Sequence, residues 1–117
     1  MEKRTIKKIF DEIKEAVEQE KILSPNNWIN WALELSALWP DLKTELVKSE
    51  IAYISELAKL MEDEKMSKAK AEIMVKSRKT EEGMSVYEFY KYLLGRDKLV
   101  EEFIKLTKKR ATLEQSY

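Results

Sequence analysis

The residues able to do chemistry in this chain are abundant in number and few in kind. Asp+Glu and Lys+Arg number 22 each in 117 residues, and there is no histidine and no cysteine. Imidazole bases, thiol nucleophiles, disulfides and Cys/His zinc sites are therefore excluded together. Ser36, Ser49, Ser55, Ser67 and Ser77 are hydroxyl nucleophiles with no histidine to take the proton, and no signature supports a Ser-Lys pair. Glu62, Asp63 and Glu64 are adjacent carboxylates. Successive helical residues point about 100° apart, so these three diverge rather than converge on one cation. A di-iron bundle site needs Glu-x-x-His, and a glycine-rich phosphate loop needs more than Gly83 and Gly95. The expectation is a chain that is not an enzyme and carries neither cofactor nor metal.

Charge offers a second kind of chemistry. The formal net charge is +0, so no overall field draws the chain onto nucleic acid or an anionic membrane. Local sorting is stronger. Lys65, Lys68, Lys70, Lys76, Arg78 and Lys79 face only Glu72 within residues 65–79, and Lys105, Lys108, Lys109 and Arg110 form a second basic run. Residues 41–64 hold seven acids and three bases. Lys68, Lys70, Lys76, Arg78, Lys79, Lys105, Lys108, Lys109 and Arg110 are candidate phosphate contacts to DNA or RNA, which would be independent of sequence and sensitive to salt. The competing and favoured reading is solvated faces, paired in part with the acidic segment of a partner chain. Four aromatics crowd the start of one helix at Tyr87, Phe89, Tyr90 and Tyr92; one side is core, and Tyr87 and Tyr92 are candidates for a partner surface.

These groups must be positioned by helices, because five apolar stretches show helical period and none shows sustained strand alternation. In the first, Ile6, Ile9, Phe10, Ile13, Val17 and Leu23 share a face. Ser24-Pro25 caps and starts a second helix over about 25–38, apolar round most of its circumference through Trp28, Ile29, Trp31, Leu33, Leu35, Leu38 and Trp39. Pro40 disfavours a helical Trp39, so the chain is expected to turn there and begin a third helix over about 41–63. A fourth stretch follows Ser67, and sequence alone leaves open whether the third helix runs on through 64–79. The turn Thr80-Glu81-Glu82-Gly83-Met84-Ser85 is the clearest boundary, with Gly83 suited to a left-handed conformation and Ser85-Val86-Tyr87-Glu88 spelling a capping box. The last helix is expected over 86–111.

The fold class is all-α: one domain over residues 1–111, an N-terminal helix pair (1–39) packed on a long antiparallel helical hairpin (40–111), with 112–117 as a frayed tail. On the third helix Val47, Ile51, Ile54, Ala58 and Met61 recur at heptad spacing, with Leu46, Tyr53, Leu57 and Leu60 as a second row beside them. The last helix can cover one row only, and the competing cover for the other is the N-terminal pair, which brings a tryptophan-rich surface that itself needs covering. Leu46, Tyr53, Leu57 and Leu60 are therefore the candidate self-association residues of a coiled-coil homodimer.

The segments Ala69-Lys70-Ala71-Glu72-Ile73, Tyr87-Glu88-Phe89-Tyr90-Lys91-Tyr92-Leu93-Leu94 and Leu99-Val100-Glu101-Glu102-Phe103-Ile104-Lys105-Leu106-Thr107-Lys108-Lys109 resemble small all-helical bacteriophage and prophage proteins of unassigned activity. The resemblance covers the C-terminal half and implies an accessory factor acting by protein–protein binding, with no catalytic residue carried over. The alternative is a nucleic-acid-associated protein of a phage replication or recombination module. The N-terminus enters charged amphipathic sequence directly and no run reaches eighteen apolar residues, so a cytoplasmic protein with no membrane partner is expected. The 18 Glu and 18 Lys against 2 Gln and 3 Asn fit a thermophilic source.

Overall fold

The structure is a computed structural model that describes residues 4–80 and 83–115, the last two by backbone alone. Glu81 and Glu82 of the expected turn, and the last two residues of the expected tail, lie outside the described residues. The described residues form four helices and no strand: α1 (Ile6–Glu18), α2 (Pro25–Glu62), α3 (Lys68–Ser77) and α4 (Val86–Gln115). None is long and apolar enough to cross a membrane.

Local chemistry accounts for most of the helix ends. Thr5 caps α1 by accepting the Lys8 amide at 3.2 Å. At its C-terminus Glu20 takes a left-handed φ of 51°, while the Lys21 amide donates to the Ala16 carbonyl at 3.1 Å and the Glu20 amide to Val17 at 3.1 Å. That paired closure satisfies two of the last carbonyls of the helix. Ser67 accepts the Lys70 amide at 3.3 Å and starts α3. Ser85, fully buried, accepts the Glu88 amide at 3.0 Å and starts α4, with Gly83 at φ 86° just before it.

Two boundaries differ from the sequence expectation, at Pro40 and at the end of the last helix, and a third that the sequence leaves open is decided. The chain does not turn at Trp39-Pro40, because α2 is continuous across Pro40. The proline removes one amide donor in the middle of the helix, and tertiary packing on both sides outweighs that local penalty. The question left open at residues 64–79 has a definite answer: α2 ends at Glu62, Lys65 adopts φ 52°, and α3 is a separate helix. In addition, α4 runs on through Gln115, so residues 112–115 are helical rather than frayed. Ala111 is buried there and supplies an anchor for the last turn.

The chain forms two compact units, one reaching to Pro40 and resuming at Lys98, the other spanning Asp41–Asp97. The expected hairpin segment 40–111 contributes to both units, which meet in sequence at 40/41 and 97/98. The first unit buries Ile9, Phe10, Ile13 and Ala16 from α1, Trp28, Ala32 and Leu35 from α2, and Val100, Ile104, Thr107 and Ala111 from α4. Phe10 stacks on Phe103, and Arg4 forms ion pairs with Glu12 and with Glu34, the latter at 2.8 Å. Glu12 also accepts the Trp31 indole N–H at 3.1 Å. Burial of the Trp-rich segment is one-sided, since Leu33 and Ile29 are exposed and only one face of the helix packs inward.

The second unit packs α3 across α2. Leu60, Ala71 and Val75 form its buried centre, and Tyr53, Leu57, Met66, Met74, Val86 and Tyr87 pack around them. The Lys43 ammonium meets Asp97 at 3.1 Å, and Arg78 meets Glu56 at 3.3 Å.

Candidate interaction surface

The two apolar rows of α2 have fates opposite to the ones their spacing suggests. Leu60 is 1% exposed, and Tyr53 and Leu57 pack around it, so these residues of the expected self-association row lie within the second unit. Leu46 is half-buried. Val47, Ile51, Ile54 and Met61, the row expected to form the packed seam, are 54%, 57%, 53% and 37% exposed. The rows lie about 100° apart on one helix and both repeat at heptad spacing, so periodicity cannot say which is covered. The folding back of α3 decides it. Because residues 63–67 reverse the chain, Ala71 and Val75 reach the Tyr53–Leu57–Leu60 side and leave the other row bare.

The aromatic candidates separate. Tyr87 is half-buried, with its ring 5.4 Å from that of Tyr53, and the Lys76 ammonium lies 4.7 Å from its centroid. Tyr90 stacks on Tyr53 at 6.1 Å with planes 8° apart. These contacts assign Tyr87 chiefly to the fold. Tyr92 remains exposed, with the Arg96 guanidinium 5.6 Å from its ring.

The basic candidates divide between the units. Lys68, Lys70, Lys76, Arg78 and Lys79 belong to the second, and Lys105, Lys108, Lys109 and Arg110 to the first. Several are already engaged: Arg78 with Glu56, Lys76 over Tyr87, Lys105 with Glu101 at 3.3 Å, and Arg110 over the Trp28 ring at 5.9 Å. Lys68, Lys70, Lys79, Lys108 and Lys109 are exposed. Sequence reading did not foresee the Arg110–Trp28 contact, since nothing in local spacing links residues so distant in the chain. The Trp28 indole N–H beneath it is buried without a hydrogen-bond partner.

A cavity of about 400 Å³ in the second unit is lined by Ser49, Ala52, Thr80, Met84, Ser85, Val86 and Phe89. Its hydroxyls serve the backbone: Ser49 donates to the Leu46 carbonyl at 2.7 Å, Thr80 donates to the Met84 carbonyl at 2.8 Å, and Ser85 caps α4. The lining residues described are apolar side chains and these three hydroxyls. Among the described residues no group of three or more carboxylates converges as metal ligands do.

Compared with known proteins, the chain matches no family model, no curated protein and no solved structure.

Proposed function

We propose that this chain is a non-enzymatic helical interaction protein that associates through exposed apolar helix surface, first with itself as a homodimer and then with a second protein, in the manner of a phage accessory factor. One observation carries this reading: Val47, Ile51, Ile54 and Met61 lie exposed in a regular row on α2. Isolated surface apolar residues are ordinary, but an ordered row of large ones marks a contact face. A helical hairpin made by residues 41–62 and 86–97 presents it, a pairing supported by the Lys43–Asp97 and Tyr53–Tyr87 contacts. Arg78, Lys76, Lys105 and Arg110 are less suited to phosphate binding, because each must leave a carboxylate or ring to reach a phosphate, which leaves the exposed Lys68, Lys70, Lys79, Lys108 and Lys109 to carry the alternative.

The test sets protein association against DNA binding. The purified chain should show concentration-dependent self-association by light scattering, with weak binding to a mixed-sequence duplex. Tight DNA binding that falls steeply with salt and is lost in Lys68→Glu/Lys79→Glu, with no protein association, overturns the reading in favour of the nucleic-acid alternative.

A further inference from the structure

We infer that the bare row of α2 is where two copies of this chain meet, helix against helix and antiparallel across a two-fold axis. This rests on the interaction reading above and goes beyond it by naming the direction and the register of the pairing.

Val47, Ile51, Ile54, Ala58 and Met61 step by four, three, four and three, and the stretch from Ile51 to Met61 offers a facing helix about three turns to match. Heptad positions follow from the row itself. With Val47, Ile54 and Met61 at d and Ile51 and Ala58 at a, the flanking e positions are Lys48, Ser55 and Glu62. All three are exposed, and neither Lys48 nor Glu62 has an ion-pair partner among the described residues.

Antiparallel helices set e positions against e positions in reverse order. In the register that places Ile54 against Ala58 of the other copy, Lys48 meets Glu62 of the other copy, Ser55 meets its own counterpart near the axis, and Glu62 meets Lys48. Both charge pairs attract, and the pattern is self-complementary as a two-fold interface requires. A small serine at the axis lets the helices close. Parallel pairing sets g against e and brings Lys43, already paired with Asp97, beside Lys48, Glu50 beside Ser55 and Leu57 beside Glu62, so it forms no attracting pair. Charge order on one flank of one helix therefore selects both the partner and its direction.

Sedimentation equilibrium from about 1 to about 100 μM tests this, a range that captures dissociation constants of ordinary modest dimers. The expected wild-type mass is twice 13.9 kDa. Ile54→Lys should give the monomer mass with unchanged helical circular dichroism, because that side chain is already in solvent. Lys48→Glu and Glu62→Lys should each raise the dissociation constant several-fold, and the Lys48→Glu/Glu62→Lys double variant should recover wild-type affinity. The swap involves only exposed side chains, so it reports on the register even where Ile54→Lys folds poorly. A dimer indifferent to Ile54→Lys overturns this face, and with it the observation that carries the interaction reading. A dimer lost in Ile54→Lys, whose charge swaps add rather than compensate, overturns the antiparallel register. A wild-type monomer throughout overturns both the two-copy assignment and the homodimer step of the interaction reading, whereas the charge-swap outcome bears on direction and register alone.

Discussion

Phe10 of α1 and Phe103 of α4 stack with ring centroids 4.4 Å apart and planes 21° from parallel. They are the aromatic link between the first helix of the chain and the last. Phe10 is buried and Phe103 half-buried. Phe10→Ala should destabilise by about 3–5 kcal/mol, the usual cost of an emptied aromatic site. A double-mutant cycle with Phe103→Ala should return a coupling of about 0.5–1.5 kcal/mol beyond area burial. Urea denaturation followed by tryptophan fluorescence measures both, and additive losses would remove the stacking contribution.

Burial on α2 and α3 separates two aliphatic residues of similar size. Leu60 lies in the centre of the second unit, whereas Ile73 is exposed. Leu60→Ala should cost about 2–5 kcal/mol. Ile73→Ala should stay within about 0.5 kcal/mol of wild type. Equal losses in chemical denaturation would show that α3 presents its other face to the core.

Pro40 offers a direct measure of helix continuity. In an uninterrupted α2 the proline withholds an amide from the Ser36 carbonyl, and alanine would restore that donor. Pro40→Ala should stabilise by about 1–3 kcal/mol, within the intrinsic difference between the two residues in a helix interior. If the chain turned at residue 40, the same change would instead lose stability by freeing the unfolded chain.

Ser85→Ala should cost about 0.5–2 kcal/mol, because the Glu88 amide loses its acceptor inside a buried site. Ser67→Ala should fall at the low end of that range, since its bond to Lys70 is exposed and longer. Thermal melts of the two variants rank the caps, and a greater loss at Ser67 would reverse the assignment.

Helical class, the caps at Ser67 and Ser85 and the left-handed Gly83 were legible from the residue order, because each follows from interactions within about four residues. Periodicity also located both apolar rows of α2. It could not say which row is buried, since that depends on where α3 returns after residues 63–67, a long-range fact with no local signature. Continuity through Pro40 is of the same kind: the local penalty of about 3 kcal/mol argues for a break, yet the helix runs on from Pro25 to Glu62 with Leu35 and Leu42 buried on either side of the proline. The division of α4 at 97/98, and the placement of Arg110 on Trp28, likewise join residues far apart in the chain. Short-range propensity is written in the order of residues. Which of several equivalent faces gets covered is settled by contacts between residues far apart in the chain, as Ala71 and Val75 cover Leu60 and leave Ile54 bare.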